Sequence, residues 1–161
     1  MLIDPVEQQL ETVTEVVPGV FLANNNVAQN MNFFQQNDIK AVLNCSRDLP
    51  FYRDNIHQMR ISINDTPEAN NEFYNALTPA IEFISAHKPI LVHCFAGMSR
   101  SPSVIVAYLI KYHDMNPQRA VELILLKRPF AFNWGKMFYF ADAINKYWSV
   151  YQQENAPKLS Q

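Results

Sequence analysis

Short apolar runs separated by polar turns predict a set of buried strands in the first 93 residues. Pro18-Gly19 lies between two such runs and is a pair typical of a tight turn, so a strand pair is expected around it. The other runs have the length of buried strands, and a buried run of this kind is bounded by turn residues. The candidate strands are residues 13–17, 20–23, 41–45, 58–63 and 89–93.

Apolar residues at helical spacing predict helices between and after these strands. Thr66 followed by Pro67 has the character of a helix start, with Thr66 as N-cap and Pro67 in the first helical position. Pro79 is expected to kink or break the helix that follows, because it removes a backbone hydrogen bond. The candidate helices are residues 24–36, 66–86, 101–113, 117–126 and 134–147, and 101–113 is apolar on several faces and therefore central.

The order of these elements indicates the fold class. Alternating strands and helices predict an α/β domain with a central, mainly parallel sheet of about five strands, flanked by helices. The length of 161 residues is typical of a single domain. We place the domain at residues 13–150 and predict that the polar segments 1–12 and 151–161 are flexible tails.

Charge and composition exclude several classes of partner. Thirteen basic and fifteen acidic residues give a net charge of −2, so neither nucleic acid nor a membrane is expected as a partner. Residues 1–87 carry four bases and eleven acids, whereas residues 88–161 carry nine bases and four acids, so an anion site is expected in the second half. Two cysteines and no apolar N-terminal segment favour a reducing compartment, the cytoplasm or also the nucleus.

One loop between a predicted strand and the central helix carries candidate chemistry. Such a junction directs successive backbone N–H groups and the positive end of a helix dipole toward one point, which suits an oxyanion. Gly97 allows a tight curve, and Arg100 has the planar fork that grips two oxygens at once. We call residues 94–100 the 94–100 loop; its candidate phosphate-binding residues are Phe95, Ala96, Gly97, Met98, Ser99 and Arg100.

Cys94 lies at the base of the predicted ring of amides. The same positive surroundings favour its thiolate, so Cys94 is a candidate nucleophile toward phosphorus. Ser101 is placed to donate a hydrogen bond to the thiolate when an intermediate breaks down. His93 precedes the nucleophile and is expected to orient the loop by hydrogen bonding rather than to transfer protons.

The string His93-Cys94, five residues, then Arg100-Ser101 resembles the active-site signature of the cysteine-dependent protein tyrosine phosphatases. Together with Ala96-Gly97 and the following Pro102, it is similar to the dual-specificity branch, in particular to its atypical members with a small stand-alone catalytic domain. The resemblance covers roughly residues 13–147. It implies a phosphotyrosine protein phosphatase-like fold, hydrolysis of phosphotyrosine and phosphoserine or phosphothreonine in phosphoproteins, and no metal or organic cofactor.

The resemblance also implies roles for residues outside the loop. Asp65 lies 29 positions before Cys94 and matches the family's general acid, which protonates the leaving oxygen. Asn44 and Asn133 match positions that brace the phosphate-binding loop, although ordinary turn or strand-end roles fit them nearly as well. In some relatives a cysteine near Cys45 forms a reversible disulfide with the nucleophile, and the alternative for Cys45 is a plain core residue.

Other functions on the same scaffold stay open at the level of the sequence. Phosphoinositide phosphatases of the superfamily carry lysines within the loop, whereas Phe95 and Met98 are uncharged here. RNA 5′-phosphatases share the scaffold, but no extended basic groove is evident in this sequence. A non-catalytic module that only binds phosphorylated residues is the third alternative, and the presence of Cys94, Asp65 and Arg100 together argues against it. Lys127, Arg128 and Lys136 border the predicted pocket or form a solvated face.

Overall fold

A five-stranded sheet forms the centre of the fold in the computed structural model, which describes residues 13–134 and 138–159. Its strands are β1 (Thr14–Val17), β2 (Val20–Ala23), β3 (Ala41–Asn44), β4 (His57–Arg60) and β5 (Ile90–His93). The spatial order is β1-β2-β5-β3-β4, with β1 antiparallel to β2 and all other pairs parallel. The predicted central, mainly parallel sheet of five strands is therefore confirmed.

Helices cover both faces of this sheet. They are α1 (Asn25–Ala28), α2 (Met31–Gln36), α3 (Asn70–Ala86), α4 (Arg100–His113), α5 (Pro117–Lys127), α6 (Ala131–Trp134) and α7 (Ala141–Leu159), and a 3-10 turn (Pro67–Ala69) precedes α3. Residues of α4 from Ser101 to Ile110 are all buried, so this helix is the central one that its apolar faces predict.

Alternate residues of the strands enter two separate hydrophobic cores. In β5, Ile90 and Val92 belong to the larger core, which includes side chains of α3, α4, α5 and α7. Leu91 points to the opposite face and packs in a smaller core with residues of α1 and α2. Because both faces of the inner strands are covered, β2, β3 and β5 are buried at every position, and their residues are apolar except for Asn44 and His93 at the ends of β3 and β5.

The helical segments before α4 differ from the prediction in two ways. The single helix expected over residues 24–36 is divided into α1 and α2. Gln29 is the C-cap of α1, and the side chain of Asn30 caps α2 by accepting a hydrogen bond from the backbone N–H of Phe33 at 3.2 Å. Pro79 lies inside α3 without ending it. Its ring is exposed while Leu77 and Ala80 on either side are buried, so packing of the inner face holds the helix across the missing bond.

The C-terminal part also corrects the prediction. The helix expected over residues 134–147 is instead the short α6 and the long α7, which continues through residues predicted to be a flexible tail. Trp148 and Tyr151 pack against the larger core, and the hydroxyl of Tyr151 donates a hydrogen bond to the carboxylate of Asp114, which accounts for helical structure beyond Val150. The predicted tail at residues 1–12 lies outside the described residues.

The parallel strands bring the candidate chemistry to one edge of the sheet. Asn44 at the end of β3 is paired with His93 at the end of β5, and the 94–100 loop leads from β5 to the first residue of α4. Ligands of open α/β sheets bind at this carboxyl edge. Within the described residues, no helix has the length and apolar character needed to cross a membrane.

Candidate active site

The carbonyl groups of the 94–100 loop are held from outside the loop. The backbone N–H of Asn25 donates to the carbonyl of Phe95 at 3.0 Å, and the backbone N–H of Phe132 donates to that of Met98. The side chain of Arg128 donates to the carbonyls between them, through Nε to Gly97 at 3.0 Å and through Nη2 to Ala96 at 3.4 Å. Four successive carbonyls are therefore engaged by neighbouring elements.

This arrangement leaves the amides of the loop available on its inner side. In the part of the chain that the structure describes, the N–H groups of residues 95–100 have no protein acceptor. Gly97 has a φ of +68°, and a Cβ there would lie 2.8 Å from the carbonyl oxygen of Ala23 and 2.7 Å from Nη2 of Arg128. Only glycine fits this curve without displacing the backbone. The loop is thus a ring of donors at the N-terminus of α4, an arrangement that binds anions.

Cys94 lies buried at the start of this loop, next to the side chain of Ser101. Its sulfur is 3.1 Å from the hydroxyl oxygen of Ser101, within hydrogen-bonding distance. Arg100 donates through Nη1 to the carbonyl of Ile63 at 3.1 Å, whereas its buried Nε has no acceptor among the described residues. A buried donor without a partner costs about 1–3 kcal/mol. An oxyanion in the ring would satisfy this donor, so the donor set fits a phosphate.

Asp65 lies in the segment that Arg100 holds against the site. Ile63 accepts the hydrogen bond from Arg100, and two residues further along the chain Asp65 is exposed, just before the 3-10 turn. Thr66 precedes that turn in an extended conformation but makes no capping hydrogen bond with its side chain. The described residues contain no group of three or more His, Cys, Asp or Glu side chains placed to hold a metal ion.

His93 supports the loop from beneath. Its ring is buried, and its Nδ1–H donates to the carbonyl of Cys94 at 3.2 Å. Burial lowers the pKa of His93 to about 4, with the nearby Arg60 and Arg100 acting in the same direction and the hydrogen bond to Cys94 opposing them. The imidazole is therefore neutral at physiological pH and serves as a fixed donor.

Cys45 follows β3 and is fully buried beside the end of β5. Its backbone N–H donates to the carbonyl of His93 at 2.8 Å, and both cysteines are free thiols. Burial raises the pKa of Cys45 well above its ordinary value and Cys94 adds to this, while Arg100 opposes it. A protonated thiol is a poor nucleophile. The redox role of Cys45 stays a prediction, which mass mapping of a Cys45–Cys94 linkage in peroxide-treated protein would test.

Asn44 organises a neighbouring loop. Its amide donates to the carbonyl of Leu49 at 2.9 Å and its Oδ1 accepts from the hydroxyl of Ser46 at 2.7 Å. Arg60 donates to the backbone carbonyl of Ser46 at 2.8 Å and to that of Leu49 at 2.6 Å. Asn44 thus shapes the turn after β3, the strand-end role, and none of its described hydrogen bonds reaches the 94–100 loop. Asn133 belongs to α6, and its side chain lies outside the described part of the chain.

Arg128 is a site residue for which the sequence left two positions open, the border of the pocket or a solvated face, and the structure buries it. It is 3% exposed, and besides the two loop carbonyls it donates through Nη1 to the hydroxyl of Thr14 at 3.3 Å. Burial lowers the pKa of its guanidinium, and the nearby Cys94 opposes this. Lys127, in contrast, is exposed and donates to the carbonyl of Val16 at 2.8 Å.

A mainly parallel sheet whose carboxyl edge carries a thiol beneath a ring of amides and one arginine defines the class of cysteine-dependent phosphatases. Comparison with known families gives the narrower assignment. Residues 20–143 match the family model of the dual specificity phosphatase catalytic domain. The chain belongs to the dual specificity phosphatase family, and its class is that of a cysteine-dependent protein phosphatase, a hydrolase.

Individual relatives agree with this assignment. Dual specificity protein phosphatase 1B of Arabidopsis thaliana is 34% identical over 122 residues, which cover 72% of this chain and 71% of that protein. Human dual specificity protein phosphatase 16 is 32% identical over 126 residues, 72% of this chain but 18% of the relative's length. A mouse protein described as a dual specificity phosphatase, crystallised with zinc tungstate, superposes with a TM-score of 0.80 at 25% identity, covering 89% of this chain and 91% of the other.

Proposed function

We propose that this chain hydrolyses phosphotyrosine and phosphoserine or phosphothreonine in proteins through a phosphocysteine intermediate. The observation that carries the proposal is the hydrogen bonding of the backbone of the 94–100 loop. Its carbonyls are engaged from outside, its amides are free on the inside, and the Cys94 sulfur lies buried at its base. These groups suit binding of a phosphate and nucleophilic attack on it.

Phosphate binding would use the donors that the fold leaves without acceptors. The three non-bridging oxygens accept hydrogen bonds from the amides of residues 95–100, and the buried Nε of Arg100 supplies a further, charged donor. Charge-assisted bonds of this type are about twice as strong as neutral ones. Because the amides and the guanidinium are already fixed in place, little reorganisation is needed as charge develops on these oxygens in the transition state.

Transfer would then proceed in two displacements. The thiolate of Cys94 attacks phosphorus, an S–P bond forms, and the bond from phosphorus to the leaving oxygen breaks. Asp65 donates a proton to that oxygen, so the protein alcohol or phenol leaves neutral. The exposed position of Asp65, two residues beyond the Ile63 carbonyl that Arg100 holds, supports this role.

Hydrolysis of the intermediate reverses these roles. Asp65 accepts a proton from water, the water oxygen attacks phosphorus, and the S–P bond breaks to release inorganic phosphate. The hydroxyl of Ser101, 3.1 Å from the sulfur, donates a hydrogen bond to the departing thiolate. His93 takes no part in proton transfer, since its neutral ring is buried and engaged by the Cys94 carbonyl.

The uncharged loop side chains favour protein substrates over phosphoinositides. Phe95 and Met98 add no positive charge beside the ring, so the site offers a lipid headgroup with several phosphates no further cation from within the loop. A catalytic thiolate also requires a reducing compartment, which supports action in the cytoplasm or nucleus. A panel of phosphopeptides and phosphoinositides on one preparation decides between these substrate classes.

The mechanism is tested with an aryl phosphate in the presence of a metal chelator. Cys94→Ser should abolish turnover, a loss of about 10³-fold or more, because the hydroxyl is a far weaker nucleophile. Asp65→Asn should lower kcat by about 10²-fold or more, most of all for substrates with poor leaving groups. Asp48→Asn, which alters another exposed carboxylate, is the matched control and should retain the wild-type rate.

Two further observations complete this test. Vanadate should inhibit the wild-type protein, and acid-quenched Asp65→Asn should carry a phosphate on Cys94 in mass spectrometry. Hydrolysis that depends on metal and survives Cys94→Ser would overturn the mechanism. Phosphopeptide binding without turnover by the wild-type chain would instead favour the non-catalytic module.

A further inference from the structure

We propose that an apolar strip beside the 94–100 loop, formed by Phe95, Tyr52 and Met31, binds residues that flank the phosphorylated side chain of a protein substrate. This inference rests on the proposed phosphatase function and deepens it, because it assigns a substrate preference to residues outside the catalytic groups. The preferred substrates carry an aliphatic or aromatic residue close to the phosphorylated one.

Exposure first points to these three side chains. Within the described part of the chain, five large apolar side chains are exposed, and three of them belong to this strip: Phe95 at 67%, Met31 at 53% and Tyr52 at 38%. An exposed apolar residue alone is common, but several that adjoin one another mark an interaction surface. Aromatic residues and methionine are also enriched at protein interfaces.

Hydrogen bonds to shared or adjacent residues link the three side chains of the strip. Asn25 donates through its backbone N–H to the carbonyl of Phe95 at 3.0 Å and through Nδ2 to the hydroxyl of Tyr52 at 2.9 Å. The residue after Tyr52, Arg53, lies with Nη1 3.4 Å from the sulfur of Met31. The strip therefore runs from the 94–100 loop across the segment after β3 to the start of α2.

The base of the strip is rigid. The guanidinium of Arg53 lies 5.0 Å from the ring centre of Phe34, which is buried in the smaller core. Asn30 caps α2 directly before Met31. The surface is thus largely preformed, so a bound peptide would not have to order it, which keeps the entropic cost of binding low.

Continuity with the phosphate site identifies the occupant as a peptide. Phe95 is itself a residue of the 94–100 loop, so any chain whose phosphate enters the ring must pass it. An extended peptide advances about 3.3–3.6 Å per residue, so the proposal places the residues that follow or precede the phosphorylated one on Tyr52 and Met31. The segment between β3 and β4 carries two arginines, Arg47 and Arg53, and two aspartates, Asp48 and Asp54, so its net charge is zero, which does not favour an anionic membrane surface.

The experiment compares kcat/KM for paired phosphopeptides that carry either leucine and phenylalanine or serine and asparagine around the phosphorylated residue. The wild-type protein should prefer the apolar peptide about tenfold, the effect expected for burying part of one or two apolar side chains. Met31→Gln should remove most of this preference while hydrolysis of a small aryl phosphate stays unchanged. Leu126→Gln, at an 81% exposed leucine of α5, is the matched control and should keep the preference.

A second pair of variants separates direct contact from loop positioning. Tyr52→Phe retains the ring and loses the hydrogen bonds to Asn25, whereas Tyr52→Ser loses both. Peptide preference should survive in Tyr52→Phe and fall in Tyr52→Ser. Equal kcat/KM for both peptides, or a Met31→Gln variant indistinguishable from Leu126→Gln, overturns the proposal. Binding to anionic vesicles that depends on Met31 and Tyr52, without a preference between the peptides, overturns the proposal in favour of a membrane surface. A wild-type protein that does not hydrolyse aryl phosphate contradicts the proposed phosphatase function itself.

Discussion

At the scale of single residues, buried polar side chains set the geometry of the site, and Arg128 does so without lining the ring. It is held among the carbonyls of Ala96 and Gly97 and the hydroxyl of Thr14. A planar guanidinium serves several acceptors at once, which a lysine ammonium in the same space would not. Arg128 is therefore a positioning residue, acting on the substrate through the amides of the loop.

Substitution of Arg128 should reduce catalysis through this loop. Arg128→Lys keeps the charge but loses the fork, so we expect kcat/KM for an aryl phosphate to fall about tenfold or more, and the free energy of unfolding to fall by about 1–3 kcal/mol for unsatisfied carbonyls. Lys127→Ala removes the neighbouring cation, which bonds to carbonyls of β1, and should keep kcat/KM. The affinity for inorganic phosphate, measured in parallel, should fall with Arg128→Lys; an unchanged affinity would assign it a purely structural role.

His93 makes stability depend on pH. Its pKa in the folded protein is about 4, below the ordinary value of 6.5, because the buried ring resists charge. Between these values the unfolded chain binds more protons, so this contribution to stability is complete above about pH 6.5 and is lost as the pH falls toward 4, by up to about 1.4 kcal/mol per pH unit. The free energy of unfolding, measured by urea denaturation at several pH values from about 4.5 to 7.5, should rise less steeply with pH for His93→Gln than for wild type. The same pH dependence in both proteins would contradict the role of His93 in the pH dependence of stability.

At the scale of elements, neighbouring helices complete the site that β5 and α4 begin. The start of α1 holds the Phe95 carbonyl and α6 holds that of Met98. Asn70 at the start of α3 joins it to α7, accepting from the backbone N–H of Ala143 at 2.9 Å and donating to the carbonyl of Tyr139 at 2.6 Å. The segment that carries Asp65 is thereby anchored to the C-terminal helix.

The last turns of α7 should contribute to stability. Removal of residues 151–161 deletes Tyr151, whose ring stacks on Trp148 at 5.8 Å and whose hydroxyl bonds Asp114, so we expect a loss of about 1–2 kcal/mol. A shorter deletion, residues 156–161, retains these contacts and should leave the free energy of unfolding nearly unchanged. Equal denaturant midpoints for both deletions and the full chain would show that the helix beyond Val150 does not support the core.

At the scale of the whole molecule, the site joins both cores. The sheet separates the larger core from the smaller one, and the 94–100 loop is held from both sides, by Asn25 next to the smaller core and by Arg128 and Phe132 next to the larger. A ligand that fills the ring therefore binds only the assembled fold. Binding of this kind stabilises the folded state in proportion to the logarithm of ligand concentration.

Inorganic phosphate should accordingly raise the Tm of the protein in a concentration-dependent way. Arg100→Lys removes the fork that includes the buried Nε, and should reduce this rise. Arg119→Lys alters an exposed arginine on α5 and should show the full rise in Tm. This variant is the control for the general stabilising effect of phosphate on proteins, which does not depend on the loop. The Tm is measured by differential scanning fluorimetry. The same phosphate-dependent rise in Tm for both variants would exclude phosphate binding at the loop.

Much of the fold follows from patterns in consecutive residues. The five strands and the central helix α4 were predictable because the period of apolar positions and the turn pair Pro18-Gly19 are local properties of the chain. Two features were not predictable: the interruption at Asn30 and the continuity of α3 through Pro79. Each depends on whether a local preference outweighs packing on the inner face of the helix. The helical turns beyond Val150 likewise depend on contacts of Tyr151 with the larger core and with Asp114.

The same division holds at the site. Cys94, Gly97, Arg100 and Ser101 are close in sequence, so a strand, a tight loop and a helix place them together, and their chemistry is readable in one string. Arg128 lies 31 positions from Gly97 and 114 from Thr14, and nothing in its local sequence distinguishes a buried brace from a solvated cation. The order of residues thus specifies which groups could act on phosphate, while long-range burial and hydrogen bonding decide which of them are held, and in which direction their donors point.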